Sequence, residues 1–151
     1  MISQRLVLLI ETHADELTKR WMKDIRQNEA TTSYQSIPDT TLYQRAFDVY
    51  SHLGRWIGSE ERRDEIRRTY TELGAERFRE GILLSEVVEA LALTKRHLWW
   101  FMSERGLLDG AVQLYQGLEL YNSVVLFFDR AVYYTTVGYE QAAGLNRRRA
   151  G

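Results

Sequence analysis

The sequence predicts an all-α protein, a single bundle of about five helices that ends in one long helix. The 151 residues include only one proline, Pro38, so little interrupts a helix elsewhere in the chain. Apolar residues recur three or four positions apart, which is the spacing of one helix face. Short loops between amphipathic helices favour antiparallel neighbours, and this predicts either a bundle or a globin-like packing.

The composition indicates one packed domain without a strong charge field. The hydrophobic fraction is 44% and the aromatic fraction 12%, enough for a proper core in a chain of this length. The net charge of −1 gives no overall attraction for nucleic acid or an anionic membrane. The absence of cysteine excludes disulfides, thiolate metal sites and cysteine nucleophiles. No apolar run approaches the ~20 residues that span a bilayer, and no signal peptide is visible, so we expect a cytoplasmic domain without membrane insertion.

The first two predicted helices lie on either side of the proline. Helix one is expected from about Ile2 to Gln27. Helix two is expected from Asp39 or Thr40, residues that suit an N-cap, to about Ile57. The apolar stripe of helix one is Leu6, Ile10, Leu17, Trp21 and Ile25. The stripe of helix two is Leu42, Ala46, Val49, Leu53 and Trp56.

The next two helices are predicted from their end signals. Ser59 is expected to cap helix three, and Gly81 suits its C-terminal end. The apolar stripe of helix three is narrow and consists of Ile66, Tyr70, Leu73 and Phe78. Ser85 is expected to cap helix four, and Gly106 is expected to end it.

The last helix is the most informative segment of the chain. No proline occurs from Asp109, its expected N-cap, to about Ala142, which predicts a helix about 50 Å long. Its apolar belt is wider than one core-facing side requires. The helix is therefore either buried in the middle of the bundle or paired with a second subunit, and we favour a homodimer. The predicted domain covers residues 1–143, followed by a basic, flexible tail over residues 144–151.

Five aromatic side chains on helices four and five are candidates for a ligand pocket or a dimer interface. Aromatic residues are enriched in such places. Trp99 and Trp100 are adjacent, so they cannot face the same way. The five candidates are Trp99, Trp100, Tyr121, Phe128 and Tyr133.

Asp129 is predicted to be a buried charge, because it lies inside the apolar run FFDRAVYY. A buried carboxylate must be paired. Its neighbour Arg130 points elsewhere on a helix, which leaves Arg96 or Arg77 as the expected partner. The favoured role is an ion pair that fixes the register of the helix, and the alternative is a charge that responds to a signal.

The histidines predict no metal site. His13, His52 and His97 lie on three different helices, and no His-Glu-x-x-His or Glu-x-x-His motif is present. Hydrogen-bonded or solvated histidines are the favoured interpretation, and no cofactor is expected. His97, close to Trp100 and Phe101, is a haem ligand only under the alternative of a true globin-like sensor.

The search for catalytic motifs finds none of the common ones. The sequence contains no G-x-S-x-G, no G-x-G-x-x-G and no G-x-x-x-x-G-K-[ST]. The segment ERRDEIRR mixes both signs of charge, which is typical of a solvated helix face and not of a nucleic-acid site. We therefore expect a protein without catalytic activity of its own.

Two blocks of the sequence resemble a known family. They are LGAERFREGILLSEVVEALALTKRHLWWFM over residues 73–102 and LELYNSVVLFFDRAVYYTTVGYEQA over residues 118–142. Together with Trp21, they resemble the amino-terminal sensor domains named after the RsbT co-antagonist RsbRD, from about Leu9 to Ala142. The pattern consists of an Arg and a Gly before a capped helix and an FDRA-type segment in the last helix.

The resemblance implies a bacterial signal-transduction domain whose last helix connects to an output. Members of the family usually precede a STAS domain or a histidine kinase core. Related co-antagonist domains are dimeric and resemble globins without haem. Since no output domain is visible before Gly151, we expect either a fragment of a longer protein or a stand-alone one that acts on a signalling partner. The alternatives are a haem- or small-molecule-binding globin-like sensor and a helical protein-interaction scaffold.

Overall fold

The computed structural model describes residues 3–57, 62–105 and 108–145. These residues form helices and no strand, so the all-α prediction is confirmed there. A 3₁₀ helix, Glu29–Ser36, lies between the second and third α-helices. The α-helices within the described ranges are α1 (Gln4–Thr12), α2 (Ala14–Gln27), α3 (Asp39–Ser51), α4 (Leu53–Trp56), α5 (Arg63–Arg79), α6 (Leu84–Glu104) and α7 (Ala111–Ala142).

Two of the predicted helices are each divided at a histidine. His13 separates α1 from α2, and His52 separates α3 from α4. In both cases Nδ1 of the ring donates to the carbonyl oxygen four residues earlier, at 2.8 Å for Leu9 and 3.1 Å for Asp48. The ring thus satisfies a backbone carbonyl at the end of the first helix. The chain can therefore change direction there while the apolar periodicity continues.

One predicted helix end is confirmed. Gly81 has a φ of +80°, and its neighbour Ile82 donates its N–H to the carbonyl of Arg77 at 3.1 Å. This is the Schellman arrangement that ends α5. Gly144 ends α7 in the same way, with a φ of +73° and a 2.9 Å bond from the Leu145 N–H to the Glu140 carbonyl.

Three predicted N-caps are wrong. The N-cap of α3 is Pro38 and not Asp39 or Thr40, because the carbonyl of Pro38 already accepts the N–H of Leu42. Helix α6 begins at Leu84, one residue before Ser85, because the carbonyl of Leu83 already accepts the N–H of Val87. The N-cap of α7 is Gly110 and not Asp109, because the φ of +91° at this glycine turns the chain directly into the helix. The predicted signals at Ser59 and Gly106 lie outside the described residues, as do residues 146–151 of the predicted tail.

The long final helix is confirmed. Its 32 residues span about 48 Å. One side packs into the core through Leu120, Val124, Phe127, Phe128 and Ala131, all of them buried. Among the described helices, none is both long enough and apolar enough to cross a membrane.

Helices α5 and α7 approach each other at backbone distance. A Cβ atom added to Gly74 would lie 1.9 Å from the carbonyl oxygen of Thr135, and one added to Gly138 would lie 1.9 Å from that of Thr71. These two glycines therefore allow a contact that no larger side chain permits. Because of this contact, the position of α7 depends directly on that of α5.

Candidate functional site

The five aromatic candidates do not form one pocket. Trp99 and Tyr121 meet between α6 and α7, with ring centroids 4.8 Å apart. Trp100 points away from them, is 39% exposed and lies edge-on to His97 at 5.0 Å. Tyr133, far along α7, is 63% exposed and borders an open groove between α5 and α7.

Phe128 is a core side chain of the single chain. It is 3% exposed and packs edge-on against Phe127 at 4.9 Å. It is therefore not part of the exposed surface of α7, and replacing it tests the core before it tests any interface.

The prediction of a buried charge at Asp129 is wrong for this chain. Asp129 is exposed, because a step of one residue from the inward-facing Phe128 turns the side chain about 100° around the helix axis, away from the core. Arg77, one of its expected partners, is buried elsewhere and lies near Glu80.

His97 connects two helices through a carboxylate. Its Nε2 lies 2.9 Å from Oδ2 of Asp24 on α2, and the residue is 8% exposed. A haem iron at this nitrogen would have to displace Asp24. Within the described ranges no three His, Asp or Glu side chains lie close enough together to hold a metal ion.

The most unusual surface is the outer face of α7, defined by the exposed residues Tyr115, Leu118, Asn122, Leu126, Asp129 and Tyr133. Their spacing of three or four residues places them on one straight stripe. Four of the six are large and apolar, with exposures between 46% and 63%. Such a stripe on a monomer is typical of a surface that binds another protein.

A second candidate site is a small cavity that the sequence did not reveal. It lies among α2, the 3₁₀ helix, α3, α5 and α6, and has about 50 Å³ of room for water-sized molecules. Its walls are mostly apolar, but they include Arg45 from α3, Arg77 from α5 and the ring of Tyr34. The sequence signal for this site is Arg77 itself, which lies four residues after Leu73 and seven after Tyr70, on the stripe of α5 that faces the core.

The two arginines share one carboxylate. Glu80 accepts from Arg45 Nη2 at 2.5 Å and lies 3.5 Å from Arg77 Nη1. The end of α5 positions this carboxylate, because Glu80 is the C-cap residue, one turn after Arg77. Arg77 is 5% exposed, and burial together with the charge of Arg45 lowers the pKa of its guanidinium. Burial also raises the pKa of Tyr34 to about 12, although both arginines oppose that change.

The fold and these two sites define an all-α domain that offers an exposed helix face and a small cationic cavity, which is the class of a binding or regulatory module. The chain belongs to the family described as the RsbT co-antagonist protein RsbRD N-terminal domain, whose model matches residues 15–150. The family predicted from the two sequence blocks is thereby confirmed, and it assigns the chain to the regulatory domains of bacterial stress signalling. Neither the curated proteins nor the solved structures contain a match to this chain.

Proposed function

We propose that this chain is the sensory part of a cytoplasmic bacterial signalling system, catalyses no reaction itself, and acts as a homodimer paired along the outer face of α7. Its output is the position of α7, read by a histidine kinase core, a STAS domain or a separate signalling protein. The observation that carries the proposal is the exposed apolar stripe on the longest helix of the described chain.

The composition of the outer face supports a second copy of this chain as its occupant. Four of the six residues that define the outer face are large, apolar and exposed, and they are Tyr115, Leu118, Leu126 and Tyr133. Aromatic and aliphatic groups favour an interface core, whereas lone charges are depleted there. Asn122 and Asp129 interrupt the stripe, and polar residues at such positions restrict the register of paired helices.

The packing of α7 supports its role as the transmitting element. It contacts α5 through the two glycines and α6 through the Trp99–Tyr121 pair. A ligand that binds one arrangement of α5 or α6 more tightly than another would favour a particular position of α7. That displacement would reach the end of a helix about 48 Å long.

The substitution Leu126→Lys tests the dimer. Leu126 is 46% exposed at the middle of the outer face, so a lysine leaves the core intact but places a charge in the proposed interface. We expect a dimer for the parent chain and at least a tenfold weaker self-association for the variant, measured by sedimentation equilibrium. Leu8→Lys is the matched control, because Leu8 is 61% exposed on α1 and outside the outer face. A monomeric parent chain, or a Leu126→Lys variant that dimerises like the control, would contradict the proposal.

A further inference from the structure

The cavity beside Arg45 and Arg77 contains a hydrogen-bond donor that the described part of the chain leaves unused. Nη1 of Arg45 is buried and has no hydrogen-bond partner in the described part of the chain. Arg77 is 5% exposed, and its two hydrogen bonds to Glu80 are long, both running from Nη1 at 3.5 Å. Buried donors without partners are costly, and a ligand that accepts from them removes that cost.

The carboxylates near the cavity still allow an anion to bind to the two arginines. Glu80 is the carboxylate that both guanidinium groups share. Glu76 lies 3.9 Å from Arg77 Nη1, beyond hydrogen-bond distance, and its side chain is 52% exposed to solvent. Glu86 accepts the Ser33 N–H at 2.6 Å and lies 3.5 Å from the Thr32 hydroxyl, so its oxygens serve the 3₁₀ helix. A guanidinium has five N–H donors in a planar fork that matches a carboxylate.

The rest of the cavity wall is mostly apolar. Trp21, Val49, Leu73, Val87 and Leu91 are among its lining residues. The indole N–H of Trp21 already donates to the Ala90 carbonyl at 3.1 Å, and the Thr94 hydroxyl donates to the same carbonyl at 2.9 Å. A tetrahedral anion such as phosphate would leave oxygens against this wall without donors. A ligand with one anionic end and an apolar tail fits both halves of the cavity.

The size of the cavity limits the length of that tail. Since a water requires roughly 10–15 Å³ by the same kind of measure, the volume of about 50 Å³ corresponds to a handful of non-hydrogen atoms. We propose that this cavity binds a short aliphatic monocarboxylate of about three to five carbons, with its carboxylate on Arg45 and Arg77 and its tail against Trp21 and Leu73.

Such a ligand would join α3 and α5 through one carboxylate. The α5 helix carries Arg77 near its end and touches α7 at Gly74, so occupancy of the cavity bears directly on the position of α7. This last link rests on the proposed sensory function, whereas the binding itself does not.

Calorimetric titration of the whole chain with butyrate tests the proposal, with butyramide as the neutral isostere and inorganic phosphate as a second anion. We expect saturable binding of butyrate and at least tenfold weaker binding of the other two. Arg45→Gln should weaken butyrate binding at least tenfold. The matched control Arg79→Gln should leave it unchanged, because the Arg79 side chain is 62% exposed and outside the cavity.

A second variant, Ala46→Leu, fills the cavity without changing its charge and should also abolish binding, so the test holds even if Arg45→Gln does not fold. No heat of binding with butyrate, equal binding of butyramide, tighter binding of phosphate, or butyrate binding that survives Ala46→Leu would each overturn the proposal. Sedimentation on the same samples separates the two proposals. Butyrate binding to a monomer would refute only the dimer, and a dimer that ignores butyrate would refute only the ligand.

Discussion

At the scale of single residues, three buried tyrosines link stability to alkaline pH. Burial raises the pKa of Tyr34 to about 12, and it raises the pKa of Tyr50 and Tyr70 as well. The Tyr50 hydroxyl donates to the Thr94 carbonyl at 2.7 Å, away from water. Each of these phenols is therefore harder to ionise in the folded chain than in the unfolded one.

We expect these tyrosines to cause no change of the free energy of unfolding with pH below pH 10, and a decrease above it. The unfolded chain loses its phenolic protons near the ordinary value of 10.0, whereas folded Tyr34 keeps its proton to about 12. Ionisation thus favours the unfolded state, and the contribution disappears as the pH rises through the folded pKa. Guanidinium unfolding at pH 8, 10 and 11 should show a loss of about 1.4 kcal/mol per pH unit per tyrosine above pH 10.

The variant Tyr34→Phe provides the control for this alkaline loss. It removes one of the ionising groups, so its stability should fall less steeply between pH 10 and 11 than that of the parent chain. Equal stability of the parent at pH 8 and pH 11 would contradict the expectation.

Alanine substitutions at Phe128 and Leu8 should have different effects on stability, because the first residue lies in the core and the second on the surface. Phe128→Ala removes a ring that is only 3% exposed, and we expect a loss of about 3–5 kcal/mol in the free energy of unfolding. Leu8→Ala, at a residue that is 61% exposed, should change it by less than about 0.5 kcal/mol. Denaturant titration measures both, and similar values for the two variants would contradict the assignment of Phe128 to the core.

At the scale of elements, the contact between α5 and α7 makes the sharpest stability prediction. Gly138→Ala places a Cβ atom 1.9 Å from the Thr71 carbonyl oxygen, so the two backbones must separate. We expect a loss of about 1–3 kcal/mol or more, the usual range for overpacking, measured as a lower denaturation midpoint.

Gly117→Ala is the matched control on the same helix. Its new Cβ atom would meet the end of the Leu108 side chain at 2.2 Å, and a flexible side chain can rotate away. Alanine also favours a helix by about 1 kcal/mol relative to glycine. Gly117→Ala should therefore cost clearly less than Gly138→Ala, and the opposite order would refute the backbone contact between α5 and α7.

Element boundaries were only partly predictable. The end of α5 at Gly81 was predictable because glycine has few rivals at a positive φ. The breaks at His13 and His52 were not, because the apolar periodicity continues across them and the cause is a local bond from a ring to a carbonyl. Ser85 was a false signal, since the helix had already begun before it.

At the scale of the whole molecule, the sequence was sufficient for the fold class, the long last helix and the family. These depend on periodicity and on motifs that are continuous in the chain. The cavity depends on Arg45 and Arg77, which lie on different helices and meet only through packing. Asp129 shows the converse, because an apolar sequence context predicted burial, whereas the direction of the side chain decides it.

Gly144 limits what α7 can convey beyond its end. A residue with a φ of +73° closes the helix, and the Leu145 N–H turns back to the Glu140 carbonyl at 2.9 Å. The helix α7 therefore ends at this glycine. A rotation of α7 about its own axis would not be passed on in helical register at Gly144, because the backbone of this residue has left the helical conformation. A lateral displacement of α7 would still move this end of the helix. The motion to look for there is therefore a translation and not a rotation.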